Sequence, residues 1–134
     1  MKGLKSGGQS RYDLRYHFVF IPRYRKRVLK NQIAKRIGQL IREGCRVNEW
    51  DVYELAIEPN HVHLYMGAQP KYSCSQIMKI LKGGTSKKIR EEFPELDEVF
   101  WGINATFWAD GYFVKSVGNV TDKVISNYIN KQGY

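Results

Sequence analysis

Two of the three histidines in this chain, His61 and His63, stand two positions apart in the stretch EPNHVHLYMG. In a strand, residues two apart point to the same side, so both imidazoles and Tyr65 share one face and the apolar residues between them share the other. Two imidazoles at this spacing can converge on one divalent ion if at least one further ligand comes from elsewhere. The same pattern also fits histidines that are structural or simply exposed.

A second pair of chemically useful side chains, Tyr128 and Gln132, lies in NYINKQ near the end of the sequence. The two residues are four apart, so on a helix they project from one side. Such a helix could offer a phenol and an amide oxygen to the histidine pair, and the phenol would then be a nucleophile beside a metal-bound phosphate. The alternative is that Tyr128 continues the apolar stripe of Val120 and Val124 and that Gln132 is a frayed surface amide.

Two further residues could lie near the histidine pair. His17 falls on the strand face opposite Tyr16 and Phe18, and it would neighbour the pair if the two strands were adjacent; we interpret it as a bystander. Glu58 precedes the pair in the sequence, but the alternation of the strand is lost at the following proline. The side of the sheet that Glu58 faces therefore stays open.

The first half of the chain predicts strands and one helix around these residues. RYDLRYHFVFIP alternates as a strand does and ends at Pro22. A helix is predicted from Asn31, a plausible N-cap, to Gly44. WDVYELAIEPNHVHLYMGA predicts two strands around a turn at Pro59–Asn60.

The second half predicts another helix and a further strand region. Ser73 with Gln76 forms a capping-box signature for a helix that ends at Pro94. Gly83–Gly84 inside this helix costs roughly 2 kcal/mol relative to two alanines, so either the helix breaks there or a partner approaches its backbone closely. ATFWADGYFVKSVG predicts strands with a hairpin turn at Asp110–Gly111.

The order of these elements predicts an α+β fold, a ferredoxin-like antiparallel sheet (βαββαβ) with its helices on one face. A final helix that bears Tyr128 adds to this fold. The helices should cover the all-apolar face of the histidine strand, which leaves the histidines on the open face. Residues 1–10, rich in Gly, Ser and Lys, are expected to form a flexible N-terminus before a single domain over residues 11–134.

The composition limits the class of partner. The chain has 134 residues, with 22 Lys and Arg against 13 Asp and Glu, for a net charge of +9. This balance favours polyanions, and nine Tyr, six Phe and three Trp add surfaces on which single-stranded nucleic acid can stack. No apolar run reaches the ~18 residues of a membrane span, so we expect a cytoplasmic protein with no membrane partner.

Two basic segments are the candidate DNA-binding sites. Runs of this kind are solvated surface in most proteins, but the net charge and the aromatic content favour contacts with phosphates here. In the second segment the lysines flank Gly83–Gly84 and could contact a phosphate backbone there. The candidate residues are Arg23, Arg25, Lys26, Arg27, Lys79, Lys82, Lys87, Lys88 and Arg90.

Five sequence blocks occur here in the order found in one known family. They are RYHFVFIPRYRKRVL, EPNHVHLYMG, LKGGTSKKIREEFPEL, FWADGYFVKSVG and NYINKQ, and the resemblance that they carry covers the chain from about Tyr12 to Gln132. The chain thereby resembles the small single-tyrosine transposases of bacterial and archaeal insertion sequences, the class defined by a His-hydrophobic-His (HUH) motif. It departs from that class at Asn60, where related proteins often have Asp, and so lacks that one carboxylate just before the first histidine.

The resemblance implies an enzyme that cleaves and rejoins single-stranded DNA at insertion-sequence ends through a 5′-phosphotyrosine intermediate. It implies that Tyr128 is the catalytic nucleophile and that His61, His63 and Gln132 bind a divalent metal, Mg²⁺ or Mn²⁺. It also implies a DNA hairpin as partner and a homodimer, commonly with each terminal helix serving the active site of the other subunit.

Two other interpretations stay open at this stage. One is a non-catalytic ferredoxin-like module that binds single-stranded nucleic acid by stacking bases on aromatics such as Tyr65. The other keeps the chemistry and changes the role, as in a domesticated tyrosine nuclease that processes palindromes or a nicking relaxase.

Overall fold

The computed structural model describes residues 5–7, 10–100 and 106–117. Within these ranges, no helix is long and apolar enough to cross a membrane. A single 3-10 turn at Arg23–Arg25 follows the third strand. The elements in chain order are β1 (Lys5–Gly7), β2 (Ser10–Tyr12), β3 (Arg15–Phe20), α1 (Asn31–Val47), β4 (Asp51–Glu58), β5 (His61–Gly67), α2 (Cys74–Glu92), α3 (Leu96–Phe100) and β6 (Phe113–Ser116).

Four of the strands form one antiparallel sheet in the order β4-β5-β3-β6. Helix α1 connects β3 to β4 and helix α2 connects β5 to β6, so the sheet has βαββαβ connectivity. This is the ferredoxin-like α+β fold that the sequence predicts. Strands β1 and β2 pair separately as a short antiparallel hairpin, so the N-terminal segment that was expected to be flexible contains regular structure.

Helices α1 and α2 pack on the apolar face of the sheet. Val62, Leu64 and Met66 of β5 are completely buried, while the histidines and Tyr65 on the other face are only partly buried. Burying each large apolar side chain contributes about 1.5–3 kcal/mol, so this alternation fixes which way β5 faces. The helix residues buried in the same core include Ile37, Ile41, Ile77, Leu81 and Ile89.

Helix α2 is continuous across its two central glycines. It begins with the predicted capping box, in which Ser73 Oγ accepts from the Gln76 amide at 3.1 Å and Gln76 Oε1 accepts from the Ser73 amide at 2.7 Å. A Cβ added at Gly83 or Gly84 would meet no atom within 4 Å. Because α2 runs without interruption over Cys74–Glu92, the helix does not break at the glycines, and their backbone is open to a partner.

The prediction of a hairpin turn at Asp110–Gly111 is wrong. Trp108 forms a bridge with Pro22, just beyond the end of β3, and Phe113 in β6 pairs with Val19 inside β3. Both flanks therefore run along the same neighbouring strand instead of pairing with each other. Asp110–Gly111 is an irregularity within this edge, and Gly111 has a φ of +79° that suits a residue without a Cβ.

Candidate active site

The open face of the sheet brings three strands together around the histidine pair. In the register of β3 with β5, Val19 lies opposite His63 and His17 lies opposite Tyr65. Residues opposite each other in a sheet share a face, and diagonal neighbours remain within reach of long side chains. His17 is therefore a diagonal neighbour of His63.

His61 is oriented by the residue before it. The imidazoles of His61 and His63 lie with ring centroids 4.8 Å apart and planes at 83°. His61 Nδ1 lies 2.7 Å from Asn60 Oδ1. An amide oxygen can only accept a hydrogen bond, so Nδ1 of His61 bears the hydrogen and Nε2 keeps its lone pair.

His63 is in contact with the third histidine. His17 Nε2 lies 3.2 Å from His63 Nδ1, and the two ring centroids are 5.3 Å apart. His17 therefore neighbours the histidine pair, because β3 is adjacent to β5. The signal was available, since strand alternation already placed His17 on the face opposite Phe18 and the ferredoxin-like order pairs these two strands.

Glu58 also lies on this face. It pairs with His61 across the two-residue turn at Pro59–Asn60, and its side chain is exposed. The turn returns the chain so that residues on either side of it are opposite each other. Sequence alternation alone could not show this, because the proline interrupts the pattern on which it depends.

Among the described residues, the candidate ligands of a divalent ion are the two histidines of the pair. Within residues 5–7, 10–100 and 106–117, no group of three or more His, Cys, Asp or Glu side chains could hold an ion. His61 and His63 suit two nitrogen ligands of a divalent ion, since the hydrogen bonds in which they take part use Nδ1 of each ring. Tyr128 and Gln132 lie outside the described residues, so their predicted roles stay predictions.

The first basic segment lies beside the turn that precedes His61. The Leu29 amide donates to Pro59 O at 3.0 Å. Tyr24 and Arg25 have φ of 62° and 52°, a left-handed conformation that costs non-glycine residues about 1–3 kcal/mol each. Arg25 and Arg27 are exposed, while the Arg23 guanidinium donates to a threonine hydroxyl at 3.2 Å. These cations therefore lie at the histidine end of the sheet.

The second basic segment lies on the opposite side of the sheet from the histidines, and its cations differ from each other. Lys79, Lys87 and Lys88 are exposed on α2. Lys82 Nζ instead donates to the carbonyls of Ala109 and Gly111 at 2.7 and 2.8 Å, and burial lowers its pKa.

Arg90, the last basic candidate of α2, forms an ion pair with Asp97. The predicted set thus divides into exposed cations and cations that bind other parts of the protein.

The other end of the open face contains a cluster that the sequence did not predict. Arg15 Nε donates to Asp13 at 2.8 Å, Arg15 Nη1 donates to Tyr65 Oη at 3.3 Å, and the guanidinium lies 4.4 Å from the centre of the Tyr53 ring. The hydrogen bond with Tyr65 raises the pKa of Arg15, and the hydrogen bond with Asp13 raises it to a smaller extent. A β-bulge between Val52 and Glu54 gives Tyr53 access to this face.

The sequence matches the family described as "Transposase IS200 like" over residues 10–132. It is similar to the ISDra2 transposase TnpA of Deinococcus radiodurans, with 30% identity over 129 residues that cover 96% of this chain and 91% of that protein. It is also similar to the transposase for insertion sequence element IS200 of Salmonella typhimurium, with 34% identity over 128 residues that cover 96% of this chain and 82% of that protein.

Solved structures give the same relationship. A crystal structure of a protein from Deinococcus radiodurans R1 is similar with a TM-score of 0.77 and 30% identity, covering 96% of this chain and 97% of that one. The structure of a REP-associated tyrosine transposase bound to a REP hairpin is similar with a TM-score of 0.57 and 15% identity, covering 96% of this chain and 74% of that one. The second likeness is one of fold alone.

Proposed function

This chain belongs to the IS200-like transposase family, and we propose that it cleaves and rejoins single-stranded DNA with Tyr128 as nucleophile and with His61, His63 and Gln132 around a divalent metal. One observation supports the metal site above the others. His61 donates through Nδ1 to Asn60 Oδ1, which leaves Nε2 as the nitrogen with a lone pair for a ligand bond.

The reaction is a transesterification. The phenolic oxygen of Tyr128 attacks the scissile phosphorus and loses its proton to solvent, the P–O3′ bond breaks, and the departing 3′ oxygen takes up a proton. The product is a 5′-phosphotyrosine that conserves the phosphodiester bond, so a second 3′-hydroxyl can reverse the step without ATP. A divalent ion at the site supplies Lewis-acid polarisation and a template for the phosphate, and imidazole ligands suit Mn²⁺ better than Mg²⁺.

The first basic segment is suited to bind the strand that enters the site. Its exposed cations, Arg25 and Arg27, are held beside the histidine strand by the bond between Leu29 and Pro59. Contacts of this kind with phosphates fix the position and direction of the strand without reading its sequence.

The exposed side of α2 is suited to bind a DNA hairpin. Lys79, Gly83 and Lys87 follow each other at intervals of four, with Gly84 and Lys88 on the adjoining stripe. Cations therefore lie next to two exposed glycines that have no side chains. A phosphate backbone can approach such a surface closely. The hairpin bound to the REP-associated transposase supports this class of substrate.

A homodimer is part of the same proposal. Excision and joining require two broken ends to be held at once, and one tyrosine per chain can hold only one of them. Two chains with one site each meet this requirement, with the Tyr128 of each chain serving its own site or that of its partner.

The chemistry is tested by trapping the covalent intermediate. The protein is incubated with Mn²⁺ and 5′-labelled or 3′-labelled single-stranded hairpin ends of the element, then denatured and separated. We expect a protein adduct on the 5′ side of the cut in wild type and none in Tyr128→Phe. Tyr112→Phe, which removes the hydroxyl of an exposed tyrosine at the edge of the sheet, is the control and should keep the adduct.

The outcomes separate the transposase from its rival. Wild type that binds the ends but forms no adduct on any of them would favour a non-catalytic single-stranded nucleic-acid-binding module. An adduct that persists in Tyr128→Phe would reject this tyrosine as nucleophile and leave the family chemistry in place.

The hairpin surface is tested by two pairs of substitutions on α2. Gly83→Ala with Gly84→Ala should stabilise the fold by about 2 kcal/mol, because alanine favours a helix, and yet weaken hairpin binding. Lys87→Ala with Lys88→Ala should weaken binding and reduce the slope of log K against log salt by roughly 0.9 per lost phosphate contact. Lys35→Ala, an exposed lysine of α1, is the control. Unchanged hairpin affinity in both variants would place the hairpin elsewhere.

A further inference from the structure

The contact between His17 and His63 is a hydrogen bond with two possible directions. A neutral imidazole has one N–H and one lone pair, so the 3.2 Å approach of His17 Nε2 to His63 Nδ1 requires one ring to donate and the other to accept. If His17 donates, the hydrogen of His63 is on Nε2 and blocks that nitrogen as a ligand. If His63 donates, its Nε2 lone pair is available.

We propose that His17 is a positioning residue for the metal site. It accepts the Nδ1 hydrogen of His63 and thereby holds Nε2 of His63 ready to bind the ion. The inference rests on the metal site of the proposed function. Asn60 does the same for His61 through an amide oxygen that cannot donate. The two histidines of the pair would then have the same tautomer, although one is oriented by its sequence neighbour and the other from a different strand.

The surroundings of His17 favour this role. Strand β3 is paired on both sides, with His17 opposite Tyr65 on β5 and opposite Lys115 on β6, so its backbone is fixed independently of DNA. His17 also borders an open cleft of about 340 Å³ that it lines with Tyr65, Glu54 and Val117. Water in this cleft can accept the hydrogen that the proposal places on Nδ1 of His17, so the ring is not left with a buried and unsatisfied donor.

The first test reads the tautomer without metal or DNA. Long-range ¹H–¹⁵N NMR of ¹⁵N-histidine protein, in metal-free alkaline buffer, distinguishes a ring with its hydrogen on Nδ1 from one with its hydrogen on Nε2. We expect His61 and His63 both to bear it on Nδ1 in wild type. In His17→Ala we expect His63 to change to the Nε2–H form, with His61 unchanged as the internal control. Finding His63 as Nε2–H in wild type would overturn the proposal, as would a spectrum of His63 that does not respond to His17→Ala.

The second test measures the affinity for Mn²⁺ by calorimetry on the DNA-free protein. Loss of a partner that orients a metal ligand typically lowers affinity by about 10–100-fold, and we expect a decrease in that range for His17→Ala. His17→Gln, whose amide oxygen can accept the same hydrogen, should recover part of the loss. Val19→Ala truncates the residue opposite His63 on the same face and should stay close to wild type. Circular dichroism of each variant checks that the fold is retained.

The results separate this inference from the proposed function. Mn²⁺ binding that is normal in wild type and unchanged in His17→Ala would overturn the role of His17 alone. Failure of the wild-type protein and of its DNA complex to bind Mn²⁺ would overturn the metal site and the role of His17 with it, even if the NMR spectra show the hydrogen bond.

Discussion

The two ends of the open face of β5 use polar side chains in opposite ways. At the end near Tyr65, the Arg15 guanidinium binds Asp13 and Tyr65 and stacks on Tyr53. At the other end, the hydrogen bonds of His61 and His63 engage Nδ1 alone, and no described residue donates to or accepts from their Nε2 atoms.

This difference indicates what each end does. Polar groups that bind each other within the protein contribute to folding, because removing one leaves its buried partner unsatisfied. Polar groups that are oriented by the protein but retain a lone pair are available to a ligand. Variants at the two ends should therefore show opposite signatures, one in stability and the other in metal binding.

The largest effect should come from His63→Ala. Loss of a direct ligand should reduce Mn²⁺ affinity by more than the roughly 100-fold upper range for loss of an orienting partner, and cleavage should fall to background. The free energy of unfolding should change by less than about 1 kcal/mol, since the ring is only partly buried. Calorimetry and urea denaturation measure the two quantities. A large loss of stability with retained Mn²⁺ binding would erase the contrast between the two ends.

Arg15→Ala should show the reverse. The Asp13 side chain is only 6% exposed, so it would lose its cation in a partly desolvated site, and we expect a loss of about 2–4 kcal/mol in the free energy of unfolding. Mn²⁺ affinity should be unchanged. Arg15→Lys keeps the charge but loses the planar guanidinium that reaches Asp13 and Tyr65 together, and it should be intermediate in urea denaturation. A loss of Mn²⁺ affinity in Arg15→Ala that matches His63→Ala would show that the two ends are one coupled network.

Asn60→Asp should strengthen Mn²⁺ binding at the histidine end. A carboxylate accepts the Nδ1 hydrogen of His61 more strongly than an amide does, which makes the ring a better ligand. We expect Mn²⁺ affinity to rise by roughly 5-fold, equivalent to about 1 kcal/mol. Asn60→Ala, which has no acceptor, should lower the affinity measured in the same calorimetric titration. Equal affinities in all three proteins would show that Asn60 does not orient His61.

The smallest effect concerns the alkaline pH dependence of the Arg15 end. Burial raises the pKa of Tyr53, with the Arg15 cation acting in the opposite direction. Because the folded-state pKa is above the unfolded value of about 10, the contribution to stability is complete below that pH and is lost as the pH rises through the folded-state pKa. The urea midpoint of Tyr53→Phe should fall less steeply with rising pH than that of wild type across this range. Identical pH profiles would show that Tyr53 ionises equally in both states.

Sequence pattern predicts the parts of this structure that depend on local alternation. The alternation in β5 placed His61 and His63 on the open face, and the spacing of Ser73 and Gln76 predicted the start of α2. These predictions succeed because burial of one face and capping of one helix end are decided by residues within a few positions of each other.

The features that were missed depend on residues distant in the chain. The contact between His17 and His63 requires the order of the strands, and the Arg15 cluster requires a bulge in β4. The expected hairpin at Asp110–Gly111 fails because flanking residues pair with β3 and because Lys82 of α2 binds the carbonyls of this segment. Gly83–Gly84 does not break α2, since packing overrides local propensity.

The two supports of the histidine pair also differ in how far they could be transferred to another protein. Asn60 and His61 are adjacent, so a Pro-Asn-His turn grafted between two antiparallel strands of an unrelated scaffold would bring its own ring orientation with it. His63 would arrive without its support, because that support comes from a strand encoded far upstream. A graft of the His-hydrophobic-His motif alone would thus contain one imidazole whose tautomer is fixed by its neighbour and one whose tautomer is not fixed.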